Sequence, residues 1–339
     1  MSKRPVSIVV AAAIAVAALA VGCGEKSENV EAEPEPFDLA LDWFPNPDHA
    51  GIFTALERGY FDEAGLAVES RTPSDPSAPI RQVAAGRADL AISYEPEVVL
   101  ARNEGLPVVA VAALAAEPLT SLVSLPSETP IRDPEDLRGA TVATAGIPYQ
   151  RAYLEAILEG AGMQPDAAER VDVGLNLMPA LLGGRADAVL GMFWNIEGVD
   201  LTERGRRPII FPVDELGIPP YDELVLVAAS DRVTEDREAI RLFIAALERG
   251  TREAADDPAA AADAVLAANP DLDPALTRAQ VRATLPALTS DGEGRPYGYM
   301  RPAQWEAFAG FFADEGLVEQ RFVASDLLTN ELLPGEIPE

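Results

Sequence analysis

The chain has 339 residues, 48% hydrophobic and 24% charged, which suits a globular protein of two ordinary domains, and a formal net charge of −30. So acidic a surface repels nucleic acid and anionic lipid headgroups, which excludes polyanion partners and favours a soluble monomer. The two lysines, Lys3 and Lys26, precede the first predicted strand, and there is one histidine and one cysteine, so the core can build no lysine imine, His/Cys zinc site, Cys–His pair or internal disulfide.

Lys3 and Arg4 lead into an uninterrupted apolar and small run over 6–21, short of the ~20 residues that a spanning helix needs. This is the pattern of a secretory signal peptide, placed at residues 1–22. It ends in Ala20-Val21-Gly22-Cys23, which resembles a bacterial lipobox with Ala in place of the more usual Leu. That resemblance implies cleavage before Cys23 and a lipid on its sulfur, the only membrane contact expected. Residues 23–36, rich in Glu and Pro with little to bury, are expected to form a disordered tether.

From residue 37 strands and helices alternate. A strand over 37–43 leads to a helix over 51–65, closed by Gly59-Tyr60-Phe61 and Gly65. A strand over 66–71, a helix over 78–85 and a strand over 89–94 follow. The same order then returns as strand 140–145, helix 149–159, strand 170–173, helix 177–182 and strand 187–192. Both copies carry Gly-Arg-Ala-Asp, at 86–89 and 184–187, between a short helix and an apolar strand. The glycine stops a helix in a conformation only glycine adopts cheaply, so the string alone reads as packing punctuation. Beyond it the strands run out into Tyr94 and Glu95 in one copy, and into Phe193, Trp194 and Glu197 in the other.

The β-prone runs over 108–125 and 224–229 read as two extended crossings between the copies, a hinge that makes the second lobe an insertion in the first. Lobe 1 is therefore expected over 37–120 and 225–339, and lobe 2 over 121–224. Helices are expected over 234–253, 258–268, 274–285 and 302–317, with prolines in first turns where a missing N–H is tolerated. Trp305, sharing a helix with Phe308, Phe311 and Phe312, is expected in the core. These alanine-rich helices read as a buttress rather than a third functional domain.

The stretch richest in chemistry is DWFPNPDHAG at 42–51. It connects a strand to a helix, and in a parallel α/β sheet such loops lie at the carboxyl edge, where ligands bind. Pro45 and Pro47 stiffen it. Its counterpart is GMFWNIEG at 191–198, where Trp194 offers a flat apolar face, Asn195 a donor and an acceptor, and Glu197 two acceptor oxygens. With Asp42, Trp43, Asn46 and His49, this set can sandwich a planar heterocycle between indoles and bond its amino edge with carboxylates. Tyr94 and Tyr149 are further lining candidates, as is Tyr221, which alternatively only fixes the hinge turn. Ser93 and Thr144 are candidate donors at strand ends. Each has a plainer alternative: Trp43 as a core ring, His49 bonded to loop backbone, Asp42 and Glu197 as cap or hinge residues.

DWFPNPDHAG with Gly59-Tyr60-Phe61, GMFWNIEG, and Tyr221-Asp222-Glu223-Leu224 resemble the thiamine-pyrimidine group of solute-binding proteins. These are the formylaminopyrimidine-binding lipoproteins of ABC importers, similar in turn to fungal thiamine-pyrimidine synthase. The resemblance spans roughly 37–230. It implies the type II periplasmic-binding-protein fold: two α/β lobes with parallel or mixed sheets, flanking helices and a ligand cleft between them. It also implies an extracytoplasmic, lipid-anchored binder of a small aromatic heterocycle, an ABC permease as partner, and no cofactor. Flavin or flavin-precursor binding is the nearest rival and needs a wider cleft. Sulfonate or nitrate binding needs focused Arg or helix-terminal amides, where the two motifs place acids. The synthase consumes pyridoxal phosphate held on a lysine, with a histidine that His49 matches in the loop motif; the lysine-free core argues against that activity.

Overall fold

The computed structural model describes residues 34–75, 77–126, 130–289 and 294–337. The signal segment, Cys23 and the tether up to Glu33 lie outside the described residues. In chain order the elements begin β1 (Glu35–Ala40), α1 (Ala50–Glu57), α2 (Tyr60–Glu63), β2 (Leu66–Arg71), α3 (Ala78–Ala84), β3 (Leu90–Ser93), α4 (Glu95–Asn103) and β4 (Val108–Ala115). Then come β5 (Thr120–Ser124), β6 (Thr141–Thr144), α5 (Pro148–Gly160), β7 (Glu169–Asp172), α6 (Leu177–Leu182), β8 (Ala188–Phe193), α7 (Glu197–Glu203) and β9 (Ile209–Pro212). The chain closes with β10 (Leu224–Ala229), α8 (Arg232–Glu235), α9 (Arg237–Asp256), α10 (Pro258–Ala268), α11 (Pro274–Leu288), α12 (Pro302–Asp314) and α13 (Ala324–Leu327).

The strands form two five-stranded mixed sheets, β2-β1-β3-β10-β4 and β7-β6-β8-β5-β9. In each, three strands run parallel and the fourth is antiparallel to both neighbours. That fourth strand, β10 or β5, is the one that has just crossed from the other sheet. The outward crossing falls between β4 and β5, the return between β9 and β10. The shared Gly-Arg-Ala-Asp string has the same job in both sheets. Gly86 and Gly184 both take φ +65°, and the carboxylates of Asp89 and Asp187 accept the backbone N–H of Asp38 and Thr141 at 2.7 and 2.8 Å. Each aspartate thereby pins the start of its strand to the neighbouring one.

Strand alternation and helix periodicity place the core on both faces of each sheet. Phe37 of β1 and Phe61 of α2 stack on Phe243 of α9 at 5.1 and 4.7 Å between ring centres. Gly250 brings α9 against α1, since a Cβ there would lie 2.4 Å from the Gly51 carbonyl oxygen and 2.6 Å from Ala55 Cβ. On the opposite side, behind the crossings, Tyr153 of α5 meets Tyr221 and the α12 ring Phe308, and Tyr221 lies 5.0 Å from Phe308. This aromatic cluster belongs to a core that is continuous between the two lobes.

Several expected boundaries shift for local reasons. Glu35 and Pro36, assigned to the tether, already pair with Leu66 and Ala67. The strand expected to reach Trp43 stops at Ala40, because the proline-stiffened loop turns away. The helix expected over 51–65 breaks in two at Gly59, whose φ of +71° is left-handed. Helix α4 follows β3 without a loop, Pro96 sitting in its first turn.

Candidate functional site

The carboxyl ends of the parallel strands β1, β3, β6 and β8 all deliver their loops to one cleft. The loop after β1 is built around Asn46. Its Oδ1 accepts the Asp48 N–H at 2.8 Å, its Nδ2 donates to the Phe44 carbonyl at 3.0 Å, and its own N–H donates to His49 Nδ1 at 3.4 Å. With Nδ1 accepting, Nε2 carries the hydrogen and donates to Asp42 Oδ1 at 2.8 Å. The Tyr94 hydroxyl donates to the other Asp42 oxygen at 2.7 Å. Burial works to raise the Asp42 pKa, but the bond and field of His49 and the Tyr94 hydroxyl outweigh it and hold the carboxyl below its ordinary range. Asn269 fastens the loop from outside by donating to the Pro45 carbonyl at 3.0 Å.

A cavity of about 350 Å³ lies between the lobes. Lobe 1 contributes Asp42, Trp43, Phe44, Asn46, Asp48 and Tyr94; the β6–α5 and β8–α7 segments contribute Tyr149, Gln150, Gly191, Phe193 and Glu197. The third wall is helical, with Leu276 and Gln280 of α11. Four of the lining residues are acids and none is Arg, Lys or His. Burial pushes Asp48 well above the usual carboxylate range against the Asn195 bond, and the charges of Asp42, Glu197 and Glu223 add to it. Burial likewise pushes Glu197 up to about 7, although the Phe193 N–H donates to its carboxylate at 2.9 Å. The cleft therefore disfavours anions and offers hydrogen-bonding carboxyl groups to an amine.

Of the residues singled out in the sequence, Asp42, Trp43, Asn46, Tyr94, Tyr149 and Glu197 line this cavity. Six others lie behind it. Trp194 does not face Trp43 across the cleft: its indole N–H donates to the Pro118 carbonyl at 3.3 Å, beside the outward crossing, and Phe193 takes the lining position. Asn195 is fully buried and bridges the lobes, its Nδ2 donating to Asp48 Oδ1 at 2.6 Å and to the Thr284 hydroxyl oxygen at 2.7 Å. His49 backs Asp42 from the core. Ser93 donates to Glu97, and Thr144 to Asp172. Tyr221 is fully buried and donates to Glu223 at 2.9 Å, so it braces the hinge.

Sequence reasoning missed Asp48, Gln150 and Gln280. Asp48 sat inside the chosen motif, and Gln150 beside Tyr149 at the start of a predicted helix. Gln280 had no local signal, because α11 was read only as a buttress. Its Nε2 instead reaches across to donate to the Ile196 carbonyl at 2.9 Å.

Two α/β lobes enclosing a cleft at their strands' carboxyl edges define the type II periplasmic-binding-protein architecture, the fold typical of extracytoplasmic binding proteins. The alkanesulfonate-binding protein of Xanthomonas axonopodis pv. citri shares it, with a TM-score of 0.68 over 88% of this chain and 99% of that one, at 17% identity. The sequence profile described as NMT1/THI5 like matches residues 46–261, and the chain belongs to that family. It is 34% identical, over 87% of its length and 90% of the relative's, to the formylaminopyrimidine-binding protein of Halalkalibacterium halodurans. It is 24% identical to a 4-amino-5-hydroxymethyl-2-methylpyrimidine phosphate synthase of Saccharomyces cerevisiae, over 88% of both chains.

Proposed function

We propose that the protein captures a thiamine-precursor aminopyrimidine of the formylaminopyrimidine type outside the cytoplasmic membrane and delivers it to an ABC permease, tethered by a lipid on Cys23. The observation that carries this reading is the cleft's lining: aromatic walls, four acids and no basic side chain. A planar ring packs on Trp43, with Tyr94, Tyr149 and Phe193 as the remaining walls. Its amino group bonds the carboxyl groups of Asp48 and Glu197, while Asp42, engaged by His49 and Tyr94, holds the loop in place. A volume of about 350 Å³ is at the low end of the roughly 300–1,000 Å³ of small-molecule sites, which suits a single ring better than a flavin.

Binding rather than synthesis is supported by the lysine-free chain beyond Lys26 and by the name of the relative from Halalkalibacterium halodurans. Among the described residues no group of three or more His, Cys, Asp or Glu could hold a metal ion. Calorimetric titration of the purified protein with formylaminopyrimidine, 4-amino-5-hydroxymethyl-2-methylpyrimidine, riboflavin and an alkanesulfonate is the test. Saturable binding of an aminopyrimidine alone supports the reading; binding of riboflavin or the sulfonate in its place overturns it.

A further inference from the structure

Gln150 occupies the first turn of α5 and is 2% exposed. Its Oε1 accepts the Ala145 N–H at 2.9 Å, across the turn from β6. That bond fixes which end of the amide is which, because only the oxygen can accept. The nitrogen is turned the other way, toward Gly191, and a Cβ at 191 would lie 2.3 Å from Nε2. Gly191 is in turn the extra residue of a β-bulge: Ser121 and Leu122 of β5 face Met192 and Leu190, and Gly191 between them takes φ +112°. Bulges of this kind re-aim groups beside binding sites. Both Gln150 and Gly191 line the cavity, and among the described residues Nε2 donates no hydrogen bond. Nε2 therefore presents its hydrogens to the cleft, where a ligand acceptor can take the place of water.

The geometry points to Gln150 as a specificity residue: we infer that its Nε2 donates to a neutral carbonyl oxygen on the ligand, such as a formyl oxygen, at the end of the molecule away from its acid-bonded amine. This rests on the aminopyrimidine reading above. An amide donor among acids suits an uncharged acceptor, and the absence of any cationic lining residue leaves no place for a phosphate ester.

The test compares formylaminopyrimidine with its deformylated amine by calorimetry, using wild-type protein, Gln150→Glu and Gln150→Met. Glutamate keeps an oxygen for the Ala145 N–H but presents an acceptor where the donor stood; methionine keeps the length and removes both polar ends. Wild-type protein is expected to prefer the formyl compound, and both variants to lose at least tenfold of that preference while retaining the deformylated amine within a few-fold. Equal weakening toward both ligands, or an unchanged preference, overturns the assignment, and either variant suffices if the other fails to fold. Wild-type protein that binds neither pyrimidine overturns the proposed function itself, and this assignment with it. Wild-type protein that binds both equally well overturns only the role of Gln150.

Discussion

Glu223, at the end of the return crossing, accepts the backbone N–H of Thr120 on the outward crossing at 2.8 Å and its hydroxyl at 3.0 Å. The same carboxylate takes the Leu119 N–H at 2.8 Å and the Tyr221 hydroxyl at 2.9 Å. One buried side chain thus lashes the two crossings together with four donors. Replacing it by glutamine turns an NH2 group toward some of them, leaving a buried donor unmatched. Glu223→Gln is expected to lose about 1–3 kcal/mol of stability, read as a lower urea midpoint.

The Asp42 carboxyl is held below its ordinary range, so its contribution to stability is present above the unfolded-state value of 3.8 and disappears as the pH falls through the folded one. Asp42→Asn removes that dependence. Urea midpoints measured from neutral to strongly acid pH are expected to fall less steeply for the variant at the acid end. Its ligand affinity is expected to drop, because His49 and Tyr94 lose the anion that organises the loop.

Glu97 behaves in the opposite sense. Burial pushes it up to about 7, against the Ser93 hydroxyl that donates to it. Between the unfolded value of 4.5 and about 7 the folded state binds the extra proton, so stability from this group declines as the pH rises. Glu97→Gln is expected to be the more stable protein above about pH 8 and to match the wild type near pH 4, as read from chemical denaturation.

Gly250→Ala tests the closeness of α9 and α1. The added methyl would meet the Gly51 carbonyl and Ala55, and overpacking of this kind costs about 1–3 kcal/mol. A lowered melting temperature is the expected result. Weaker ligand binding should accompany it, since α1 is the helix that the 42–51 loop enters.

Much of this architecture was legible in the chain. β2, α6, α10 and β10 fall on their expected residues, because Gly65, Gly183 and Pro258 mark an end of the first three and β10 is an unbroken apolar run between Glu223 and Ser230. The returning order of strands and helices pointed to the two equivalent sheets, each of which carries the Gly-Arg-Ala-Asp string. The cleft was only half legible. Asp42, Trp43 and Tyr149 sit at strand ends that the topology delivers to one place, whereas side-chain direction is not written in spacing. GMFWNIEG reached the right region, but the pleat of β8 and the turn after it put Phe193 in the cleft and Trp194 on the hinge. The helical wall was invisible because Gln280 depends on long-range packing against a different lobe.

The aromatic joint behind the crossings decides how such a molecule can move. Beside the cavity the lobes are held by polar bonds, Asn195 to Asp48 and Gln280 to the Ile196 carbonyl, and water can take the place of each when it breaks. Nothing in water replaces the contacts of Phe308 with Tyr153 and Tyr221. Parting these polar bonds is therefore expected to cost less than sliding at the aromatic joint, so the halves are expected to swing like a door on a greased pin rather than shear past one another.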